Sequence, residues 1–174
     1  MKFRGEALMG TDLGDELKVS LQCSDALEIC MAMEREGIAY YEKAVRRTTD
    51  ERVRQVFQRL AGDERDHART LKEKSIFLQP AVQRRTPEKP EVQQFIRQQI
   101  LGKVFPDAES QDASRWTDAE ALEVGIQAEQ NSIEILERLI AQVTKIDVRT
   151  VFSHLLAEEK RHLEQLQALK VELA

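Results

Sequence analysis

Apolar side chains recur along four stretches of this chain at alternating steps of three and four, the spacing that places them on one face of an α-helix. The first stripe reads Leu27, Met31, Glu34, Ile38, Tyr41, Val45, and the second Val53, Phe57, Leu60, Glu64, His67, Leu71. The third reads Leu122, Ile126, Glu129, Ile133, Leu136, Ile140, and the fourth Val148, Phe152, Leu155, Glu159, His162, Leu166. Each stripe carries a glutamate where the pattern asks for an apolar side chain, and two of them carry a histidine as well. The first helix is expected to begin after Ser24, with Asp25 in its first turn, and to run to about Arg47. The third is expected to follow Thr117, which forms a capping box with Glu120. Short turns at Thr48 to Asp50 and at Thr144 to Ile146 make each successive pair an antiparallel hairpin.

The two hairpins are copies of one another. A shift of 95 residues aligns Ala26 to Lys43 with Ala121 to Arg138, with six of 18 positions identical, and Val53 to Glu73 with Val148 to Ala168, with eight of 21 identical. That is far above the chance level of about one match per window and marks an internal duplication. Between the hairpins, Gln79 to Trp116 holds all four prolines and reads as a long crossover. Within it Val92, Phe95, Ile96 and Ile100 keep helical spacing and predict a short extra helix. Residues 1–23 carry no assignable pattern, so the organisation expected is an N-terminal segment followed by one helical domain over 24–174.

Composition narrows the class without changing it. At 174 residues and 41% hydrophobic the chain can bury the core of one domain, and 33% charged with 5% aromatic residues favours amphipathic helices over strands. The formal net charge of -5 offers no general attraction for nucleic acid or an anionic membrane. The opening residues lack the apolar core of a secretion signal, and no run is long enough to span a bilayer, so a cytoplasmic location is expected. Cys23 and Cys30 would lie about 10 Å apart on one helix, too far for a disulfide, and no CxxC pair is present for a rubredoxin-type iron centre.

The polar residues in the stripes carry the chemistry. Glu64 and His67 stand three apart, as do Glu159 and His162, so each pair projects from one side of its helix. A buried ionised carboxylate costs several kcal/mol unless it is compensated, and a cation is one such compensation. With Glu34 and Glu129 added, four carboxylates and two imidazoles meet in one layer of the bundle, and their four negative charges match two divalent cations. An oxygen-rich set with two nitrogens and no sulfur suits iron(II) or manganese(II) and suits structural zinc poorly. Glu28, Glu42, Glu123 and Glu137 also match between the repeats but fall off the stripes, Asp63 and Glu158 are rotated away from them, and His154 reads as an exposed residue.

These residues resemble the ferritin-like diiron carboxylate superfamily, and within it the rubrerythrin-like proteins, with a glutamate on the first and third helices and E-x-x-H on the second and fourth. MEREGIAYYEKA, from Met33 to Ala44, and GDERDHA, from Gly62 to Ala68, look especially similar. The resemblance implies an all-α, ferritin-like four-helix bundle holding two irons, with manganese as an alternative. Glu34 and Glu129 would be terminal ligands, Glu64 and Glu159 bridging ones, and His67 and His162 would cap one metal each. Tyr41 looks like the tyrosine that hydrogen-bonds a ligand carboxylate. The implied activity is redox reaction of a diiron(II) centre with hydrogen peroxide or dioxygen, fed by a separate electron-donor protein, in a homodimer or higher homo-oligomer. Iron storage without rapid turnover and a metal-free helical interaction module are the competing readings. Ser132 departs from the pattern, because rubrerythrins typically carry a further glutamate three residues after the third-helix ligand. On that ground the site is expected to react with dioxygen as well as peroxide.

Overall fold

The fold is taken from a computed structural model, which describes residues 20–82, 89–105 and 116–173. The elements are α1 (Cys23–Arg47), α2 (Glu51–Val82), α3 (Pro90–Phe95) running into a π-helical turn at Ile96–Ile100, α4 (Asp118–Gln142) and α5 (Ile146–Leu173). No strand occurs among the described residues, and the all-helical arrangement is consistent with a ferritin-like bundle. α1 packs against α2, α4 packs against α5, and the hairpins meet chiefly along α1 with α5 and α2 with α5.

Helix boundaries follow local chemistry. The Thr117 hydroxyl accepts from the Glu120 backbone N–H at 3.2 Å, and the Glu120 carboxylate accepts from the Thr117 N–H at 2.8 Å, closing the box that starts α4. α1 begins at Cys23, slightly before the expected start after Ser24, because the Asp25 carboxylate reaches back to the Gln22 N–H at 2.7 Å. α2 continues past Gln79 and Pro80 to Val82, so the crossover begins later than the proline content suggests. The proline removes one intrahelical donor, and the helix continues past it. The second turn occupies 143–145.

The ends of the hairpins fix their relative direction. The Asp118 carboxylate, at the start of α4, accepts from the backbone N–H groups of Thr49 and Asp50 in the α1–α2 turn at 3.0 and 2.6 Å. At the other end of the bundle Lys145, in the α4–α5 turn, donates to the Leu21 carbonyl just before α1 at 3.1 Å. α4 therefore starts at the end of the bundle from which α2 departs, and the crossover must travel the length of the bundle. Its described part is anchored by Lys89, paired with Asp25 at 2.6 Å, and by Val92, Phe95, Ile96 and Ile100, all buried. The π-helical turn closes on Gly102, whose φ of +66° a side-chain-bearing residue adopts only at a cost, and the Gly102 N–H donates to Glu36 of α1 at 2.8 Å.

That packing widens the buried face of α1. Ile29, Cys30, Met33, Gly37 and Tyr40 are buried beside the expected Leu27, Glu34 and Tyr41, whereas Met31, Ile38 and Val45 are half-buried. The stripes on α2 and α5 match their expectations residue for residue, with the one exception that His67 keeps some exposure. Tyr40, Tyr41, Phe57 and Phe105 form an aromatic cluster with ring centroids 5.2 to 6.4 Å apart.

Candidate metal centre

Six polar side chains from four helices converge in the middle of this apolar packing. Glu64, Glu129, Glu159 and His162 offer atoms within 4.8 Å of one another, and so do Glu34, Glu64 and His67. Glu64 belongs to both groups and Glu159 to the first alone. His162 Nδ1 lies 3.4 Å from Glu64 Oε1, 3.9 Å from Glu129 Oε1 and 4.0 Å from Glu159 Oε2. His67 Nδ1 lies 3.6 Å from Glu34 Oε1 and 3.9 Å from Glu64 Oε2. The two imidazoles stack with centroids 5.7 Å apart.

Burial and hydrogen bonding test whether a cation fits. Both oxygens of Glu34, one each of Glu64, Glu129 and Glu159, and Nδ1 of both histidines are buried without a hydrogen-bond partner. Native proteins seldom leave so many polar atoms unsatisfied in one place, and a divalent cation satisfies oxygens and imine nitrogens at once. The donor set is therefore one that can bind metal.

The outward ring nitrogens face acids, although His162 Nε2 makes no hydrogen bond. His67 Nε2 faces Glu158 Oε2 of α5 at 3.4 Å, and His162 Nε2 faces Asp63 Oδ2 of α2 at 3.6 Å. Each histidine thus has an acid of the opposite hairpin beside its outward nitrogen, close enough to favour the protonated ring electrostatically. Arg161 bridges the two acids, 2.5 Å from Glu158 and 3.4 Å from Asp63. Asp63 and Glu158 lie off the stripes and were legible only as a repeat-related pair of acids; Arg161 aligns with Asp66 and carries no repeat signal at all. The off-stripe Glu42 and Glu137 form equivalent pairs with Arg65 and Lys160, at 2.7 and 2.8 Å. His154 is exposed.

Three positions on α1 and α4 adjoin the site. The Tyr41 hydroxyl, fully buried, donates to Glu129 Oε1. Gly37, three residues after Glu34, leaves space that Glu64 occupies, since a Cβ there would stand 2.9 Å from Glu64 Oε1. Its counterpart on α4 is Ser132, buried with an unpartnered hydroxyl.

Electrostatics make the metal-free cluster costly. Burial, opposed by the adjoining Glu64 carboxyl and reinforced by the charge of Glu129, pushes the Glu34 carboxyl up to about 7. Burial and the neighbouring carboxyls hold Glu64 and Glu159 well above the usual range. For His162 burial works against the charged form, but the facing Glu64 carboxylate outweighs it and the net shift is upward. The Tyr41 phenol is raised by burial and by Glu129, so it remains a donor at any physiological pH.

Carboxylates and imidazoles at E-x-x-H spacing in the core of a helical bundle are an arrangement that ferritin-like metal-binding bundles use. Residues 13–75 match the rubrerythrin family model, consistent with a ferritin-like, rubrerythrin-type protein. The matched stretch holds Glu34, Tyr41, Glu64 and His67, while Glu129, Glu159 and His162 enter through the internal repeat. No curated protein and no solved structure matches the chain. Among the described residues no helix is long and apolar enough to cross a membrane.

Proposed function

We propose that this chain is a diiron oxidoreductase whose reduced centre is oxidised by hydrogen peroxide or dioxygen. The observation that carries the reading is the convergence of Glu34, Glu64, His67, Glu129, Glu159 and His162 with buried, unpartnered donor atoms. Glu34, Glu64 and His67 would hold one ion and Glu64, Glu129, Glu159 and His162 the other, so that Glu64 is the carboxylate shared by both. Held there, a diiron(II) centre would supply the two electrons that, with two protons, reduce peroxide to two waters. The chain's own residues set the conditions. Leu155 lies beside Glu34 and His67, Phe57, Leu60 and Phe152 are buried on the same helix faces as the E-x-x-H pairs, Asp63 and Glu158 place negative charge behind the imidazoles, and Tyr41 keeps its proton on the hydroxyl that holds Glu129. A separate electron-donor protein would return the centre to iron(II).

The test has two stages. Anaerobic loading with iron(II) at neutral pH followed by metal analysis is expected to give two ions per chain, and none would remove the centre. Mixing the loaded protein with each oxidant under stopped flow then reads the chemistry, with peroxide and dioxygen rates expected within two orders of magnitude because Ser132 stands where a further glutamate would bias the site. A loaded protein that reacts with neither oxidant would instead be an iron-binding protein without turnover.

A further inference from the structure

The duplication makes the two halves of the site comparable residue by residue, and the halves are not equivalent. The group built on Glu129 and His162 has four donor residues and is sealed, with the His162 side chain 0% exposed, whereas the group built on Glu34 and His67 has three and the His67 side chain is 18% exposed. In front of Glu34 and His67 lies a cleft of about 120 Å³ between α2 and α5, with Leu27 of α1 in its wall. That is room for several water-sized molecules.

The sequence difference that opens it can be read from the repeat. Thr70, one turn beyond His67, lines the cleft, and the residue at the same place beyond His162 is the longer Gln165, half-buried with its Oε1 enclosed. Lys74 is exposed at the cleft, and its counterpart Leu169 is buried. His154 also lines the cleft and is exposed. The Thr70 and Thr150 hydroxyls donate to helix carbonyls at 2.9 and 2.8 Å, so neither presents a proton to the cavity. The result is an apolar passage with a lysine ammonium beside it, leading to the donor group that has fewer protein ligands. A small anion or oxidant of two or three heavy atoms fits this chemistry, because the ammonium attracts it and an open coordination position accepts it.

We infer that this cleft is the port through which small exogenous ligands reach the centre, and that they coordinate the ion held by Glu34, Glu64 and His67 while the ion held by Glu64, Glu129, Glu159 and His162 stays closed to them. The inference rests on the two-metal reading above. Azide is the probe, titrated into the iron(III)-loaded full-length chain and read by its charge-transfer absorption, with iron content measured on the same samples. Wild type is expected to bind one azide per chain. Thr70→Gln combined with Lys74→Leu, which installs the residues of the sealed half, is expected to keep two irons and to raise the azide Kd at least tenfold. Val151→Phe, which narrows the cleft from the α5 side, should do the same and decides the question if the double variant loads iron poorly. Two irons with no azide bound in wild type, or an unchanged Kd in a fully loaded variant, would overturn the port. A wild-type chain that holds no iron would overturn the metal centre itself.

Discussion

Glu64 and Glu159 occupy equivalent places in the repeat, yet only Glu64 reaches both donor groups. Glu64→Ala is therefore expected to abolish tight binding of both ions, and Glu159→Ala to weaken one, as read by metal analysis after iron(II) loading. Equal loss in the two variants would restore the symmetric bridging pair that the family resemblance implies. Gly37 supplies a second residue-scale test. Alanine is favoured over glycine in a helix by up to about 1 kcal/mol, but a Cβ at this position meets Glu64 Oε1 at 2.9 Å. Gly37→Ala is expected to leave the melting temperature of the metal-free chain unchanged or higher while lowering metal affinity at least severalfold, a combination that separates site geometry from fold stability. The six polar residues were legible because a charge in an apolar stripe is conspicuous in one dimension. The inequality of Glu64 and Glu159 was not, because it is set by how each side chain packs, and the repeat hides it by presenting both in the same local sequence.

At the scale of elements, what sequence reveals depends on how far away the partners are. The capping box at Thr117 and Glu120 joins residues three apart and could be read directly, as could the apolar spacing of Val92, Phe95, Ile96 and Ile100. Asp118 gave no such signal, since its partners lie 68 and 69 residues away. Its carboxylate accepts from the Thr49 hydroxyl as well as two backbone N–H groups, and although partial burial raises its pKa, these bonds leave it below the usual range. Those contacts tie the α1–α2 turn to the start of α4, so Asp118→Ala should loosen the junction between the hairpins. Hydrogen bonds to a charged group at a largely exposed site are worth about 1–2 kcal/mol in total. Thermal unfolding should then shift down by roughly 2–8 °C, with two-ion loading retained because Asp118 touches none of the six site residues. The breadth of the α1 face escaped sequence reasoning for the same reason, because the extra burial comes from a crossover segment placed more than 50 residues later in the chain.

For the whole molecule the site sets the pH dependence of folding. In the metal-free chain Glu34 titrates near 7 instead of 4.5, and Glu64 and Glu159 are shifted in the same direction by burial and by one another. A carboxyl that holds its proton more tightly folded than unfolded contributes stability that is complete below the unfolded value, and that contribution is lost as pH rises through the folded value. The window for Glu34 is thus about 4.5 to 7, and this one residue accounts for an amount on the order of 3 kcal/mol. Asp50, Asp118 and Glu120 act oppositely: their pKa values are lowered, so their contribution is present at neutral pH and lost in strong acid. The metal-free protein is therefore expected to be most stable near pH 5, with a melting temperature that falls steadily toward pH 8. Metal ions replace the protons that the buried glutamates otherwise retain, so loading should release protons and remove the decline above pH 5. Melting curves of metal-free and iron-loaded protein from pH 4 to 8 test this together. Parallel curves, with no growing separation between pH 5 and 8, would mean that Glu34, Glu64 and Glu159 titrate as exposed residues and that the buried cluster does not persist in solution.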